Sequence, residues 1–306
     1  MNWEPRYNCG DGEQTGGAGL AVRATQHIRR MRGGAQGHLM LGEDSHAYVV
    51  KFANNPQHVR VLANELMASR MAAAAGLTAP HGEIVEVSQW LVENTPEMTM
   101  DLGRRKEPCR AGRAFGSRFV GGLMPGQVVD YLPAEPLLEV RNLREFAGVL
   151  ALDKWTGNAN GRQAVFQRKQ RERMYRAWFI DWGYCFHAGE WRFEDAPLRG
   201  VYHRNEVYRE VRGWEDFEPW LSRMEAMDGE VLWGAANETP AEWYGGDVGE
   251  MEALVEKLVG RRGRIRELIE GFRRTEREPF PNWGKGRAES VKEVWLMGGM
   301  GTTMVQ

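Results

Sequence analysis

The chain has 306 residues, long enough to bury one large core or two lobes. Its 40 Lys and Arg are balanced by 42 Asp and Glu, for a net charge of -2, so no global basic field marks it as a nucleic-acid binder. Cys9, Cys109 and Cys185 stand far apart and form no CxxC, which argues against a zinc knuckle or a disulfide framework and suits a reducing cytosol. No apolar run reaches the ~18 residues of a membrane span.

Residues 1–20 are polar and glycine-rich without a hydrophobic signal core, and read as a flexible arm. Ala21 to Met31 read as a strand. The next stretch, RGGAQGHLML, places Gly33, Gly34, Ala35, Gln36 and Gly37 where backbone can approach phosphate oxygens, beside Arg29, Arg30 and Arg32. Taken alone, the glycines fit a plain β-turn with a solvated basic flank equally well. His38 to Leu41 and Ala47 to Phe52 form a hairpin around Gly42-Glu43-Asp44-Ser45. In AYVVKF, Lys51 points to the opposite face from Val50 and Phe52. It is either an outward, solvated lysine or an ammonium directed into a cleft.

A helix is predicted over about 57–75, closed by Gly76. Its apolar stripe of Val61, Leu62, Leu66, Met67 and Met71 carries Glu65, an acid that wants a cation, and Lys51 is the natural partner. Glycine loop, strand lysine and helix glutamate in that order are more specific than any one of them. Gly82 to Val92 read as a strand, 94–113 as a loop or insertion, and Ala114 to Val120 as a strand running into Gly121-Gly122, where a linker between lobes is expected.

Pro133 to Asn142 read as a short helix or loop, and Leu143 to Lys154 as a helix that breaks at Gly157 into a polar loop, GNANGR. Two strands, Ala164 to Phe166 and Ala177 to Ile180, are separated by a polar and basic gap, and the second ends in Asp181-Trp182-Gly183. A polar loop that handles a hydroxyl, and a carboxylate at a strand end that holds magnesium against phosphates, suit phosphoryl transfer. Asp-x-Gly by itself also marks ordinary turns. Helices are predicted at about 205–211, 215–226 and 229–235, a short helix start at 240–244, and one long helix over 248–274 with Arg261, Arg262, Arg264 and Arg266 on its solvated face. Beyond 277 no periodicity remains, and much of that tail is expected to be mobile.

YVVKFANNPQH, ANELMASRMAAAAGL, FGSRF, DKWTGNANGRQAVF, FIDWGYCF and EVYREV resemble the HipA-like kinase family in its short bacterial form, over about residues 21–275. HipA itself and lipid-kinase-like folds are more distant. The resemblance implies an α+β, two-lobed, protein-kinase-like fold. Its divisions are an arm at 1–20, a small antiparallel β N-lobe with one helix at 21–122, a mainly helical C-lobe at 123–276 and a tail at 277–306. It implies ATP and Mg2+ as cofactors. The loop of Gly33, Gly34, Ala35, Gln36 and Gly37 would cover the phosphates, and Lys51 would hold them while paired with Glu65. Arg118, Phe119 and Val120 would lie at a hinge running to Gly122, and Asp181 would bind the metal. The implied acceptor is a hydroxyl of a protein or small molecule. The expected location is the cytoplasm, with no membrane and no direct nucleic-acid partner.

The catalytic loop departs from the family pattern. Aligning Gly161-Arg162 puts Asn160 at the catalytic acid and Val165 at the metal-binding Asn, and an asparagine cannot take a proton at neutral pH. A second register, Asp153-x4-Asn158, has the kinase spacing and makes Asp153 the base and Asn158 a metal ligand, unless Asp153 is a structural cap or lysine partner. Besides a kinase, the sequence therefore admits a catalytically impaired nucleotide-binding module that acts on a partner, and an aminoglycoside-type phosphotransferase.

Overall fold

The computed structural model describes residues 21–121 and 128–286. The expected N-terminal arm, Gly122 at the hinge and positions 287–306 of the expected tail lie outside the described residues.

Strands β1 (Val22–Arg30), β2 (His38–Gly42) and β3 (Ala47–Lys51) form a meander, followed by helix α1 (Arg60–Ala75) and strand β4 (Gly82–Val87). Then come α2 (Gln89–Glu93), β5 (Thr99–Asp101), β6 (Lys106–Pro108) and β7 (Gly112–Arg118). The five longer strands close into a barrel in the order β1-β2-β3-β7-β4, while β5 and β6 make a separate hairpin. The expected all-antiparallel sheet is corrected at one seam, where β1 runs parallel to β4 through Val22 and Val85. Closure removes the exposed sheet edges that an open sheet would leave. Two local readings also change. The strand predicted over 82–92 stops at Val87, because Ser88 caps α2 by accepting a bond from the Leu91 amide. The stretch 94–113 contains β5, β6 and the start of β7 instead of being loop throughout.

The second part of the chain is mainly helical. It contains β8 (Val128–Val129), α3 (Ala134–Leu138), α4 (Glu145–Thr156), β9 (Gln163–Gln167), β10 (Arg176–Ile180), α5 (Trp220–Glu225), α6 (Gly229–Glu238), α7 (Val248–Arg261) and α8 (Ile265–Arg273). The β9–β10 hairpin pairs Gln163 with Ile180 and Gln167 with Arg176, and β8 adds to its β9 edge. The long helix predicted over 248–274 is broken by a 3-10 turn at Arg262–Arg264. Arg261 is not on a solvated face: it is buried and donates to the carbonyls of Trp155 and Lys154 and to Asp195. A buried guanidinium at the break satisfies α4's last carbonyls and turns the chain back over that helix.

Two apolar cores result. Inside the barrel pack Met40, Tyr48, Val50, Phe52, Val85 and Ala114. The larger core joins α4, the helices around it and α1, whose Leu62, Leu66 and Met71 point away from the barrel interior. Helix α1 therefore belongs to the helical core by packing and to the barrel part by sequence. Packed chain also runs past position 277, since Phe280 is buried and Trp283 packs edge-on against Trp214. No helix among the described residues is long and apolar enough to cross a membrane.

Candidate functional site

Alternation along β3 buries Val50 and Phe52 in the barrel and turns Lys51 outward toward α1. There its ammonium donates to Glu65 Oε1 and, at 2.7 Å, to Asp181 Oδ1. Glu65 is almost fully buried on α1, and the same Oε1 accepts the Gly183 amide at 3.0 Å. Burial works against the charge on Lys51, but the Glu65 and Asp181 carboxylates outweigh it and hold the ammonium above its ordinary range. Burial raises the Glu65 carboxyl, an effect Lys51 only partly offsets. Asp181 is also disfavoured by burial, yet Lys51 outweighs that and holds its carboxyl low, hence ionised.

The acid is aimed by a second network. Asp181 has φ of 65°, a left-handed conformation that costs an L-residue roughly 1–3 kcal/mol. Arg162 holds that turn: its Nη1 donates to the carbonyls of Ile180 at 2.6 Å and Asp181 at 3.2 Å, and its guanidinium stacks 3.9 Å over Trp182. The other side of the guanidinium grips Asp153 through two bonds of 2.9 and 2.5 Å. Past the acid, Gly183 has to be glycine, because a Cβ there would meet Val61 Cγ1 at 2.5 Å. Buried Asn64 then donates to the carbonyls of Gly183, Cys185 and Ala188, and accepts from Trp191 Nε1 at 2.8 Å. Side chains of α1 thus fix the whole segment after Asp181.

The glycine loop joins β1 to β2, with Gly33 and Gly34 exposed at its tip. Its far end approaches the ion pair, as a Cβ on Gly37 would lie 3.9 Å from Lys51 Cγ. Ala35 is buried, and Gln36 is tied to the β5 strand by bonds to and from the Asp101 backbone at 2.7 and 2.8 Å. The Gln36 side chain is therefore a strut for the loop and is not directed at a ligand.

Several expected roles change. Asp153 is 1 % exposed and both of its oxygens are taken by Arg162, so it is a structural counter-ion and not an accessible base. Asn158, expected to hold metal, is 2 % exposed; its amide donates to Asp153 and its oxygen accepts from the Asn160 amide. Asn160 is exposed in the loop, with its Oδ1 receiving the Gly161 amide at 2.9 Å. At the expected hinge, the Arg118 and Phe119 amides already donate to His81 and Ala47. Among the described residues, Val120 is the one of the three whose amide is not taken.

Two contributors were not read from the sequence. Gln163 Nε2 donates to Asp181 Oδ2 at 2.6 Å, so the acid is held between Gln163 and Lys51. The register of the hairpin, whose first and last residues pair, was the signal that places Gln163 beside Asp181. Arg162 gave no such signal, because its partners lie on α4 and at the end of β10.

A small barrel whose strand lysine meets a helix glutamate, set against an acid at the end of a hairpin, defines a protein-kinase-like fold. Within that class, residues 25–164 match the family model for HipA-like kinases, so the resemblance read from the sequence holds over that segment. Among solved structures, the Helicobacter pylori proinflammatory kinase CtkA is similar at a TM-score of 0.53 and 14% identity, over 84% of this chain and 100% of that one. The hydra Fam20 structure with sugar is similar at a TM-score of 0.50 and 13% identity, over 86% of this chain and 89% of that one. At such identities these likenesses concern the fold. No curated protein matches the sequence.

Proposed function

We propose that the chain is an ATP-dependent kinase of the HipA-like type, two-lobed and cytoplasmic, transferring the γ-phosphoryl group to a hydroxyl of a protein or small molecule. The observation that carries this reading is Lys51 donating to both Glu65 and Asp181. An ammonium and an ionised acid at one point between the barrel and the helical part support that reading, in which Lys51 binds phosphate. Asp181 and the oxygen of the neighbouring Gln163 are hard oxygen donors of the kind Mg2+ takes alongside phosphate oxygens, so the residues fit that ion. When bound, the ion supplies charge neutralisation at the phosphates. The chain's own residues do the rest. Glu65 orients Lys51 toward the α- and β-phosphates, Arg162 fixes the direction of Asp181, the tip at Gly33 and Gly34 covers the phosphates, and Val120 is left to meet the base. Asn160 orients an acceptor hydroxyl without taking its proton. Positioning and electrostatics supply most of phosphoryl-transfer catalysis, so that chemistry is still open to the chain.

One observation favours a second reading, a nucleotide-binding module impaired in catalysis. With Asp153 locked onto Arg162, the loop from Gly157 to Arg162 has no free carboxylate. Magnesium-dependent ATP binding measured beside release of γ-phosphate separates the two. Binding with turnover supports the kinase, binding without turnover supports the module, and absence of binding removes both.

A further inference from the structure

The β9–β10 hairpin carries chemistry that the candidate site does not use. Between Arg168 and Arg176 the chain has five cations against one acid, Glu172. That acid is turned inward: it accepts the Lys169 amide at 3.3 Å and faces Arg141 at 3.5 Å. Arg168, Lys169, Arg171 and Arg173 are exposed, and no carboxylate among the described residues pairs with them. Most exposed arginines of the helical part are paired, as in Arg192 with Glu190, Arg199 with Glu194, and Arg274 with Glu270. The hairpin is thus a concentrated positive projection on a chain whose total charge is -2.

Several features give the finger a defined shape. Arg168 lies 4.6 Å over the Tyr175 ring. The outer edge of β10 is closed by Asn142, which exchanges hydrogen bonds with the Ala177 backbone at 3.0 and 2.9 Å. At the far end of β9, Gln163 touches Asp181. The basic end, from Arg168, therefore begins about 16 Å away from the candidate site, at a rise of ~3.3 Å per residue.

We propose that this hairpin is a docking surface for the phosphodiester backbone of a B-DNA duplex. Three physical points select that partner. Four of the five cations are arginine, whose planar fork matches phosphate oxygens. The patch offers Met174 as its one exposed large apolar side chain, whereas a protein partner needs an apolar centre and a membrane needs buried apolar area. Surfaces that meet nucleic acid are instead polar and strongly positive. A two-stranded β-ribbon is also one of the shapes a B-DNA major groove admits. The absence of a global basic field, read from the whole chain, averages over this local concentration. The surface is separate from the ion triad and does not depend on the kinase reading.

Fluorescence anisotropy of the full chain with a labelled DNA duplex, the same duplex in RNA, and labelled polyglutamate tests this. Five phosphate contacts give a slope of log affinity against log salt of about -4.5, or roughly 500-fold weaker binding between about 50 and 200 mM salt. The variant Arg168→Gln, Lys169→Gln, Arg171→Gln, Arg173→Gln should melt as the parent does, bind at least about tenfold more weakly at low salt, and show a slope near about -1. Arg171→Gln alone should lower the slope by about one. Binding of the DNA duplex with these slopes, tighter than that of the RNA duplex, supports the proposal, and tighter binding of the RNA duplex overturns it. The proposal is overturned by absence of duplex binding at low salt, by a fourfold variant that binds like the parent, or by polyglutamate bound as tightly as the duplexes.

Discussion

Lys51 Nζ lies 2.7 Å from Asp181 Oδ1, a bond that spans 130 residues of sequence and joins the barrel to the β9–β10 hairpin. With Glu65 on its other side, the ammonium neutralises two carboxylates that sit too close to remain charged without it. Lys51→Met should abolish magnesium-dependent ATP binding, as read by calorimetry. It should also lower stability by roughly 3–5 kcal/mol near neutral pH, because two acids lose their buried cation. Burial already pushes Glu65 up with Lys51 present, so in the variant its folded pKa lies above the unfolded value of 4.5. A raised carboxyl contributes stability at low pH that is lost as pH rises. The deficit should therefore shrink on acidification, and urea titrations across pH 5 to 8 check the sign, around the ordinary carboxylate and imidazole range.

Asp153 and Arg162 form a buried, two-pronged pair, with side-chain exposures of 0% and 1%. Asp153→Asn leaves the guanidinium charge buried against an amide, a loss of roughly 3–5 kcal/mol. The expected result is a large fall in melting temperature, accompanied by weaker nucleotide binding because Arg162 no longer fixes the turn at Asp181. A variant of unchanged stability that loses turnover alone would instead restore Asp153 as the base.

How much of this was legible in the sequence follows from how local each signal is. The strand phase of AYVVKF and the apolar stripe of α1 both act over a few residues, and together they set Lys51 against Glu65. Gly76 closes α1 in the left-handed conformation, as its place after an alanine run implies. The Asp-x4-Asn spacing misled because it is one-dimensional. The structural use of Asp153 depends on Arg162, which comes after a break at Gly157 that redirects the chain. Arg261 was misread for the same reason, since its partners are α4 carbonyls more than a hundred residues upstream. Barrel closure through β1 and β4 is likewise a pairing between distant segments, and alternation does not encode it.

The loop glycines differ in what a side chain would meet. A Cβ on Gly34 touches only the end of the Gln57 side chain at 2.9 Å, whereas on Gly37 it meets Val49 Cγ1 at 3.1 Å and the Val50 carbonyl at 3.3 Å. Gly34→Val should weaken ATP binding with little change in melting temperature. Gly37→Val should lower stability as well, because β3 backbone cannot move aside. Equal loss of apo stability in both variants would reduce the loop to a structural turn.

His38 is fully buried on β2, with Nδ1 3.0 Å from His27 Nε2 and Nε2 3.6 Å from Cys109 Sγ. Burial first, then the charges of His27 and Arg30, push its pKa down from 6.5 to about 4. The folded chain keeps this ring neutral while the unfolded chain protonates it below about 6.5. Between those values the unfolded state binds more protons, so stability rises with pH there and is lost as pH falls through about 4. On this account about 2–3 kcal/mol disappears between pH 7 and pH 4. Urea unfolding of the parent and of His38→Gln at both pH values tests it. The variant should be less stable at neutral pH, with a flatter profile, and an equally steep profile assigns the acid sensitivity to other groups.

Asn160 carries the remaining chemical question. It is exposed, its backbone is fixed by bonds to Asn158 and from Gly200, and its Oδ1 receives the Gly161 amide. A carboxylate can accept that amide bond as well as an asparagine oxygen does, so Asn160→Asp should fold with the parent's stability. What changes is proton affinity: the amide only orients a hydroxyl, while a carboxylate also takes its proton as the bond to phosphorus forms. General-base assistance contributes about 10²–10⁴-fold in favourable cases. The fixed backbone here places the expected gain at the lower end, about tenfold or more in γ-phosphate release at unchanged ATP affinity. If release rises, the parent is a kinase limited by its loop. If it stays at background while ATP still binds, Asn160 does not face the acceptor, and the impaired module becomes the better reading. Asp181→Asn sets the baseline for both, since loss of the carboxylate clasped by Lys51 and Gln163 should remove magnesium-dependent binding in the parent and in the Asn160→Asp variant alike.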